Sequence, residues 1–238
     1  MTISLVTDRR QLSPDARTVR DEISALIAWL EEAVAAGVDL IQLREPDLPA
    51  QSLTGLAKHV AAAAAGSTTR VVVNDRADVA LACGCDGVHL RGDGPPVARV
   101  RALVARAGSA AQSGFRDRDL LVGRSVHSAD EARAHADADY LVFGAVFDSG
   151  SKPGLGLDAL RSAVASANAD RRADAPAVLA IGGITIARAA ECFEAGATGV
   201  AAIRLFLPPG RQQGALGVTE AVCQLRAAFD GAATGHLQ

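Results

Sequence analysis

Leu179-Ala180-Ile181-Gly182-Gly183-Ile184-Thr185 is an apolar run that stops at paired glycines and leads straight into a helical pattern. The run has the length and composition of a strand buried on both faces, as in a parallel sheet. Two glycines in succession let the backbone fold tightly and expose consecutive N–H groups. The helix that follows aims the positive end of its dipole at whatever sits over the turn. This is the form of a phosphate cradle, and also of a plain strand-to-helix connection. The surrounding sequence has to decide between them.

The region just after this stretch belongs to an internal echo. Ala35-Ala36-Gly37-Val38-Asp39-Leu40-Ile41, Ala82-Cys83-Gly84-Cys85-Asp86-Gly87-Val88, Ala136-Asp137-Ala138-Asp139-Tyr140-Leu141-Val142 and Ala195-Gly196-Ala197-Thr198-Gly199-Val200-Ala201 share one form. Each is a helix end, usually with a glycine suited to a left-handed cap, then a short polar step, then an apolar strand. Four more strand candidates lie between them, at 3–7, 70–74, 120–125 and 178–181, which brings the count to eight. Helical patterns alternate with these at 20–36, 51–65, 76–83, 97–107, 129–136, 157–167, 186–195 and 217–228. Such alternation predicts an α/β fold, a closed (β/α)₈ TIM barrel in a single domain over residues 1–230. An open doubly wound sheet would carry its glycine fingerprint after the first strand, and here that strand runs into Asp8-Arg9-Arg10. Long loops are expected at 107–118 and 148–155, and a disordered tail at 231–238.

Composition agrees with this architecture. The chain has 238 residues, 49% of them hydrophobic, and a net charge of −3, enough to bury a large core and without an electrostatic bias toward nucleic acid or a membrane surface. Aromatic residues make up only 3%, which suits small aliphatic strands packed under helices. Cys83, Cys85, Cys192 and Cys223 lack paired metal-ligand spacing and read as reduced core residues. Neither a leader-like start nor a run of 18 apolar residues is present, so the expectation is a soluble, cytoplasmic protein with no membrane segment.

Barrels of this kind carry their chemistry at the carboxyl ends of the strands. Here those ends hold Arg44, Lys152 and Arg204 together with two backbone nests, a set suited to an anionic, phosphorylated small molecule. His127 ends the fifth strand, where an imidazole can shuttle protons or serve as a structural hydrogen-bonder. His89 lies one residue short of its strand's end and reads first as a packed core residue. Asp75 and Asp93 are the carboxylates placed to share a magnesium ion, which accepts one or two carboxylates and fills its other positions with water and phosphate oxygens. Asp75 could equally cap the short helix beginning at Arg76.

Six segments in register now resemble the ordered motifs of the thiamin phosphate synthase and TenI superfamily. They are Gln42-Leu43-Arg44-Glu45, Val73-Asn74-Asp75-Arg76-Ala77-Asp78-Val79-Ala80, Asp86-Gly87-Val88-His89-Leu90, Gly123-Arg124-Ser125-Val126-His127-Ser128, Val146-Phe147-Asp148-Ser149-Gly150-Ser151-Lys152-Pro153 and Ala180-Ile181-Gly182-Gly183-Ile184. The resemblance implies a barrel that binds a thiazole phosphate, with Gly182, Gly183, Ile203 and Arg204 lining the phosphate site and Ser149, Ser151 and Lys152 facing the reacting groups. In the synthase reaction, which couples hydroxymethylpyrimidine pyrophosphate to the thiazole phosphate with Mg2+, it implies Arg44, Asn74 and Lys152 on the pyrophosphate, Asp75 on the metal and Ser125 near the pyrimidine. In TenI-type proteins that tautomerise a carboxythiazole phosphate without metal, it implies His127 as the proton carrier. A homo-oligomer is also expected of this fold, with no interface marked in the sequence.

Three departures from the synthase pattern stand out. Pro46 follows Arg44-Glu45 where the synthase usually has lysine. Arg91-Gly92-Asp93-Gly94 replaces Gly-Gln-x-Asp after His89-Leu90, which leaves the second metal ligand displaced by one residue or absent. Asp148 stands where proline is usual. All three bear on the pyrophosphate and metal half, while the thiazole half and His127 are complete. The sequence therefore leans toward a TenI-type tautomerase, with the synthase as the alternative and a non-catalytic thiazole or thiamin phosphate-binding regulator as a third reading.

Overall fold

A computed structural model describes residues 1–110, 120–150, 152–169 and 175–235, with the side chains of 107–110 and 233–235 excepted. Ser151 lies outside the described residues, as does most of the loop expected at 107–118. Along the chain run β1 (Thr2–Val6), α1 (Arg9–Leu12), α2 (Val19–Ala35), β2 (Leu40–Leu43), α3 (Ala50–Ala64), β3 (Arg70–Asn74), α4 (Ala77–Cys83), β4 (Gly87–Leu90) and α5 (Val97–Ala110). Then follow β5 (Leu121–Val126), α6 (Ala129–Ala134), β6 (Tyr140–Gly144), α7 (Leu157–Ala167), β7 (Ala177–Ile181), α8 (Ile186–Glu194), β8 (Gly199–Ala202), a 3-10 turn (Arg204–Phe206) and α9 (Val218–Gly235). Each strand pairs in parallel with the next, and β8 closes on β1 through Thr2↔Gly199 to Leu5↔Ala202. The expected TIM barrel is the observed fold.

The two faces of each strand meet different partners. Ile3, Leu5, Ile41, Leu43, Val71, Val73, Leu141, Phe143, Val178 and Val200 point outward and are fully or almost fully buried under the helical ring. Val6, Leu40, Val72, Tyr140, Val142, Leu179 and Ala201 fill the barrel axis. Tyr140 reaches across that axis because residue 123 is glycine: a Cβ there would come within 1.9 Å of the Tyr140 ring. Bulk on one strand is thus matched by its absence on the neighbour, as close packing requires.

The internal echo has a physical role at the amino end of the barrel. Asp39 Oδ2 accepts the N–H of Ile3 at 2.7 Å, Asp86 Oδ2 that of Val71 at 2.8 Å, and Asp139 Oδ2 that of Val122 at 2.6 Å. Each carboxylate fastens the start of the preceding strand, and each also pairs with an arginine, respectively Arg226, Arg70 and Arg101. In the fourth repeat Thr198 Oγ1 donates to Val178 O at 3.2 Å. The polar step after each helix is a clamp between neighbouring strands.

Several elements differ from the sequence reading. The α1 turn and the 3-10 turn were not marked by periodicity, being too short to show one. The final helix runs to Gly235, so part of the segment read as a disordered tail from 231 is helical, since its alanines continue the helix; 236–238 lie outside the described residues. Cys85 and Cys192 are buried as expected, but Cys83 is half-buried and Cys223 is exposed on α9. Among the described residues no helix is long and apolar enough to cross a membrane.

Replacing one clamp carboxylate should loosen the barrel without changing its fold. Asp139→Ala is expected to lower unfolding stability by about 1–2 kcal/mol, the cost of leaving a strand N–H without its acceptor, and Asp139→Asn by less. Urea denaturation with an unchanged m-value is the check.

Candidate active site

The carboxyl ends of the strands open into a cavity of about 870 Å³, and a second compartment of about 380 Å³ adjoins it. Arg44, Ser149, Ile181, Gly182 and Ile203 line both, so the two are parts of one mouth. The larger is lined by Asn74, Asp75, Asp93, Ser125, His127 and Lys152; the smaller by Gly183, Arg188 and Arg204. Apart from Ser151, all the residues singled out from the sequence therefore surround a single opening.

The smaller compartment is built on the paired glycines. Gly182 has φ +98° and Gly183 φ +64°, and a Cβ on Gly182 would come within 2.4 Å of Ala145 Cβ. Any other residue would be strained and crowded there. Among the described residues the N–H groups of Gly183, Ile184 and Ile203 have no acceptor. Thr185 caps α8, Arg204 donates to Ser149 Oγ at 3.0 Å, and Arg188 donates to Gly183 O at 2.9 Å while its guanidinium sits 4.7 Å above the Phe147 ring centroid. Free amides, a helix N-terminus and guanidinium groups around one concavity are the chemistry that would hold an anion.

The floor of the larger compartment is a polar layer at the top of the barrel axis. Gln42 Nε2 donates to Asn74 Oδ1 at 2.8 Å, and Asn74 Nδ2 donates to Asp75 Oδ2 at 2.9 Å. His89 is buried and bridges Ser125 Oγ (2.9 Å from Nε2) and the Tyr140 hydroxyl (3.1 Å from Nδ1). Burial, reinforced by the charges of Arg124 and Arg44, pushes the His89 imidazole down to about 3, so it is neutral at physiological pH. It is the hydrogen-bonded core residue the sequence suggested, but it also lines the cavity and fixes Ser125.

Asp75 does not cap the following helix. The N-cap of α4 is Arg76, with no side-chain capping bond, and Asp75 adopts φ +56°, which turns its carboxylate toward the mouth. There Oδ1 accepts the N–H of Arg91 and Oδ2 lies 2.9 Å from Arg91 Nε, which is also 3.6 Å from Asp93 Oδ1. Asp93 thus shares Arg91 Nε with Asp75 despite the altered spacing of its loop, at the longer distance. Buried Arg124 explains how: its guanidinium donates to Gly92 O, Gly94 O and Pro95 O at 2.7–2.8 Å and pins the loop down. Among the described residues no third His, Cys, Asp or Glu completes a cluster.

His127 is exposed at the rim. Its ring Nδ1 contacts Gly144 O, and its backbone N–H donates to Glu131 Oε2 at 2.7 Å; the residue lines the cavity. Arg44 and Lys152 are exposed and, among the described residues, have no carboxylate within ion-pair distance, which leaves two uncompensated cations facing the opening.

A buried knot holds the Arg44 segment in place. Arg9, which is 3% exposed, pairs with Glu22 at 2.7 Å, Glu45 at 2.9 Å and Asp47 at 2.6 Å, and Thr7 Oγ1 accepts the Arg44 N–H at 2.9 Å. The Arg9 hydrogen bond holds Asp47 down at about 2, whereas burial of Glu45 outweighs the same guanidinium and raises it. Gln42, Arg9, Arg124 and Arg188 were not marked as site residues in the sequence. Strand alternation could have pointed Gln42 inward; nothing local reveals the other three, whose partners lie far away in the chain.

Comparisons with known proteins converge on one family. The family described as thiamine monophosphate synthase (TMP-TENI) matches residues 16–206. Thiamine-phosphate synthase of Methanoculleus marisnigri is 39% identical over 184 residues, 75% of this chain and 78% of that protein. Thiamine-phosphate synthase of Roseiflexus castenholzii is 32% identical over 231 residues, covering 94% and 88%. A solved structure of thiamine phosphate pyrophosphorylase from Pyrococcus furiosus superposes with a TM-score of 0.74 at 28% identity, over 97% of this chain and 96% of that one. These relatives support the synthase, the alternative in the sequence reading, over the TenI-type leaning.

The buried imidazole gives the stability curve a defined acid limb. His89 titrates near 6.5 when unfolded and about 3 when folded, so its neutral form favours the fold above pH 6.5, and unfolding takes up one proton at lower pH. Stability should fall from pH 6.5 toward pH 3. His89→Gln, which cannot charge, is expected to flatten that limb in chemical denaturation measured across the range.

Proposed function

Because the chain belongs to the thiamine monophosphate synthase (TMP-TENI) family, we propose that it is a thiamin phosphate synthase, joining hydroxymethylpyrimidine pyrophosphate to thiazole phosphate. The supporting observation is that one opening has two compartments, one lined by the glycine turn and Arg204, the other by Arg44, Lys152 and the Asp75/Asp93 pair, each offering groups suited to a phosphate or to its counter-ion. A tautomerase acting on a single monophosphate needs one such compartment; a coupling of two phosphorylated substrates needs both.

In this reading the nest of Gly182, Gly183 and Ile203, with Arg204, holds the thiazole phosphate. Arg44, Asn74 and Lys152 grip the pyrophosphate, and Ser125, held by neutral His89, orients the pyrimidine. The pyrimidine C–O bond breaks with its electrons passing to pyrophosphate, and the thiazole nitrogen donates its lone pair to the methylene carbon to form the new C–N bond. The residues hold the two substrates at attack distance and place fixed cations where negative charge accumulates on the leaving group.

Asp75 and Asp93 would hold a magnesium ion, because both carboxylates lie near Arg91 Nε at the cavity wall, at 2.9 and 3.6 Å, and magnesium takes one or two carboxylates with water and phosphate oxygens for the rest. When bound, magnesium neutralises the departing pyrophosphate as a Lewis acid. His127 has no part in C–N bond formation here; it shapes the rim through Gly144.

The test is product formation from the two substrates across a magnesium series. Thiamin phosphate should appear only with magnesium, and none at any concentration would reject the assignment. Lys152→Ala is expected to lower kcat/KM by about 10²–10³ through loss of one leaving-group cation. His127→Ala should retain coupling to within about fivefold; collapse of activity in that variant would return the proton-transfer reading.

A further inference from the structure

Arg91 stands where the two acidic side chains meet. Its Nε lies 2.9 Å from Asp75 Oδ2 and 3.6 Å from Asp93 Oδ1, and its own N–H occupies Asp75 Oδ1. With Asn74 Nδ2 also on Oδ2, both oxygens of Asp75 carry donors before any ligand arrives, and one of those donors is a cation. A guanidinium and a divalent ion cannot both sit against these carboxylates, because like charges at contact distance repel and the same lone pairs would be needed twice.

The Arg91 side chain is 67% exposed, so the carboxylates hold it rather than packing. It also lines the cavity that holds Arg44 and Lys152. Pro46 lines the same cavity and contributes no charge. A guanidinium released from Asp75 therefore has a second place to go: its planar fork matches two oxygens of a diphosphate.

We propose that Arg91 is an exchangeable cation, neutralising Asp75 and Asp93 in the free protein and, when a divalent ion and a diphosphate enter, ceding the carboxylates to the metal and pairing with the diphosphate. The identity of that diphosphate rests on the synthase reading; the exchange itself rests on the geometry. It is a substrate-contacting role for a residue that the altered loop alone provides.

The test uses Mn2+ and inorganic pyrophosphate with the whole protein. Mn2+ titration followed by electron paramagnetic resonance should show Arg91→Ala binding the ion about fivefold more tightly than wild type, since the competing cation is gone. Calorimetry with pyrophosphate in the presence of Mn2+ should show about tenfold weaker binding in the same variant. Arg91→Lys should restore most of the competition with Mn2+ but only part of the pyrophosphate affinity, because an ammonium lacks the fork. Mn2+ affinity in Arg91→Ala equal to or below wild type, unchanged pyrophosphate affinity, or no Mn2+ binding by either protein would each overturn the exchange. Product formation by wild type is scored separately: its failure with both shifts intact removes the substrate assignment and supports the exchange for another diphosphate.

Discussion

Closure of β8 onto β1 is the constraint from which the rest follows. A parallel ladder that returns to its starting strand leaves no edge, and it puts every strand's carboxyl end on the same rim. Residues as far apart in sequence as Arg44 and Ile203 become neighbours only because of that closure. The opposite rim is held by Asp39, Asp86 and Asp139, each fastening the amide of one strand's second residue and pairing with an arginine.

Charge is distributed along the barrel by the same logic. Near the axis, where desolvation is severe, Gln42 hydrogen-bonds Asn74, and neutral His89 bridges Ser125 and Tyr140. Arg9 and Arg124 are buried, Arg9 against three carboxylates and Arg124 with its two terminal nitrogens on backbone carbonyls, and they act on the loops, one behind Arg44 and the other beneath Asp93. Arg44, Lys152 and Arg204 stay exposed at the mouth, where a cation keeps its hydration until an anion arrives. Buried arginines position the loops, and the exposed cations are left to meet ligand.

Much of the candidate site could be read from the chain, because a residue at a strand's carboxyl end is placed by the fold class alone. Arg44, Asn74, His127, Lys152 and Gly182 needed only the strand count to be brought together. Spacing alone makes Asp93 look displaced, yet Arg124 reaches across from β5 and holds that loop where Asp93 lies 3.6 Å from Arg91 Nε, the group that also contacts Asp75. Asp75 likewise looked like a helix cap until its backbone conformation turned it the other way. Both outcomes depend on groups distant in sequence, and periodicity carries no information about them.

By itself the sequence determined the barrel, its strand order and the glycine cradle after β7, because these follow from local patterns: apolar runs buried on both faces, helix caps, and a repeat that returns after each pair of strands. Only the tertiary structure decided which side chains are neutral, which cations among the described residues remain unpaired, and that one mouth divides into two compartments. Those properties come from burial and from contacts between strands far apart in the chain, and both exist only once the barrel has closed.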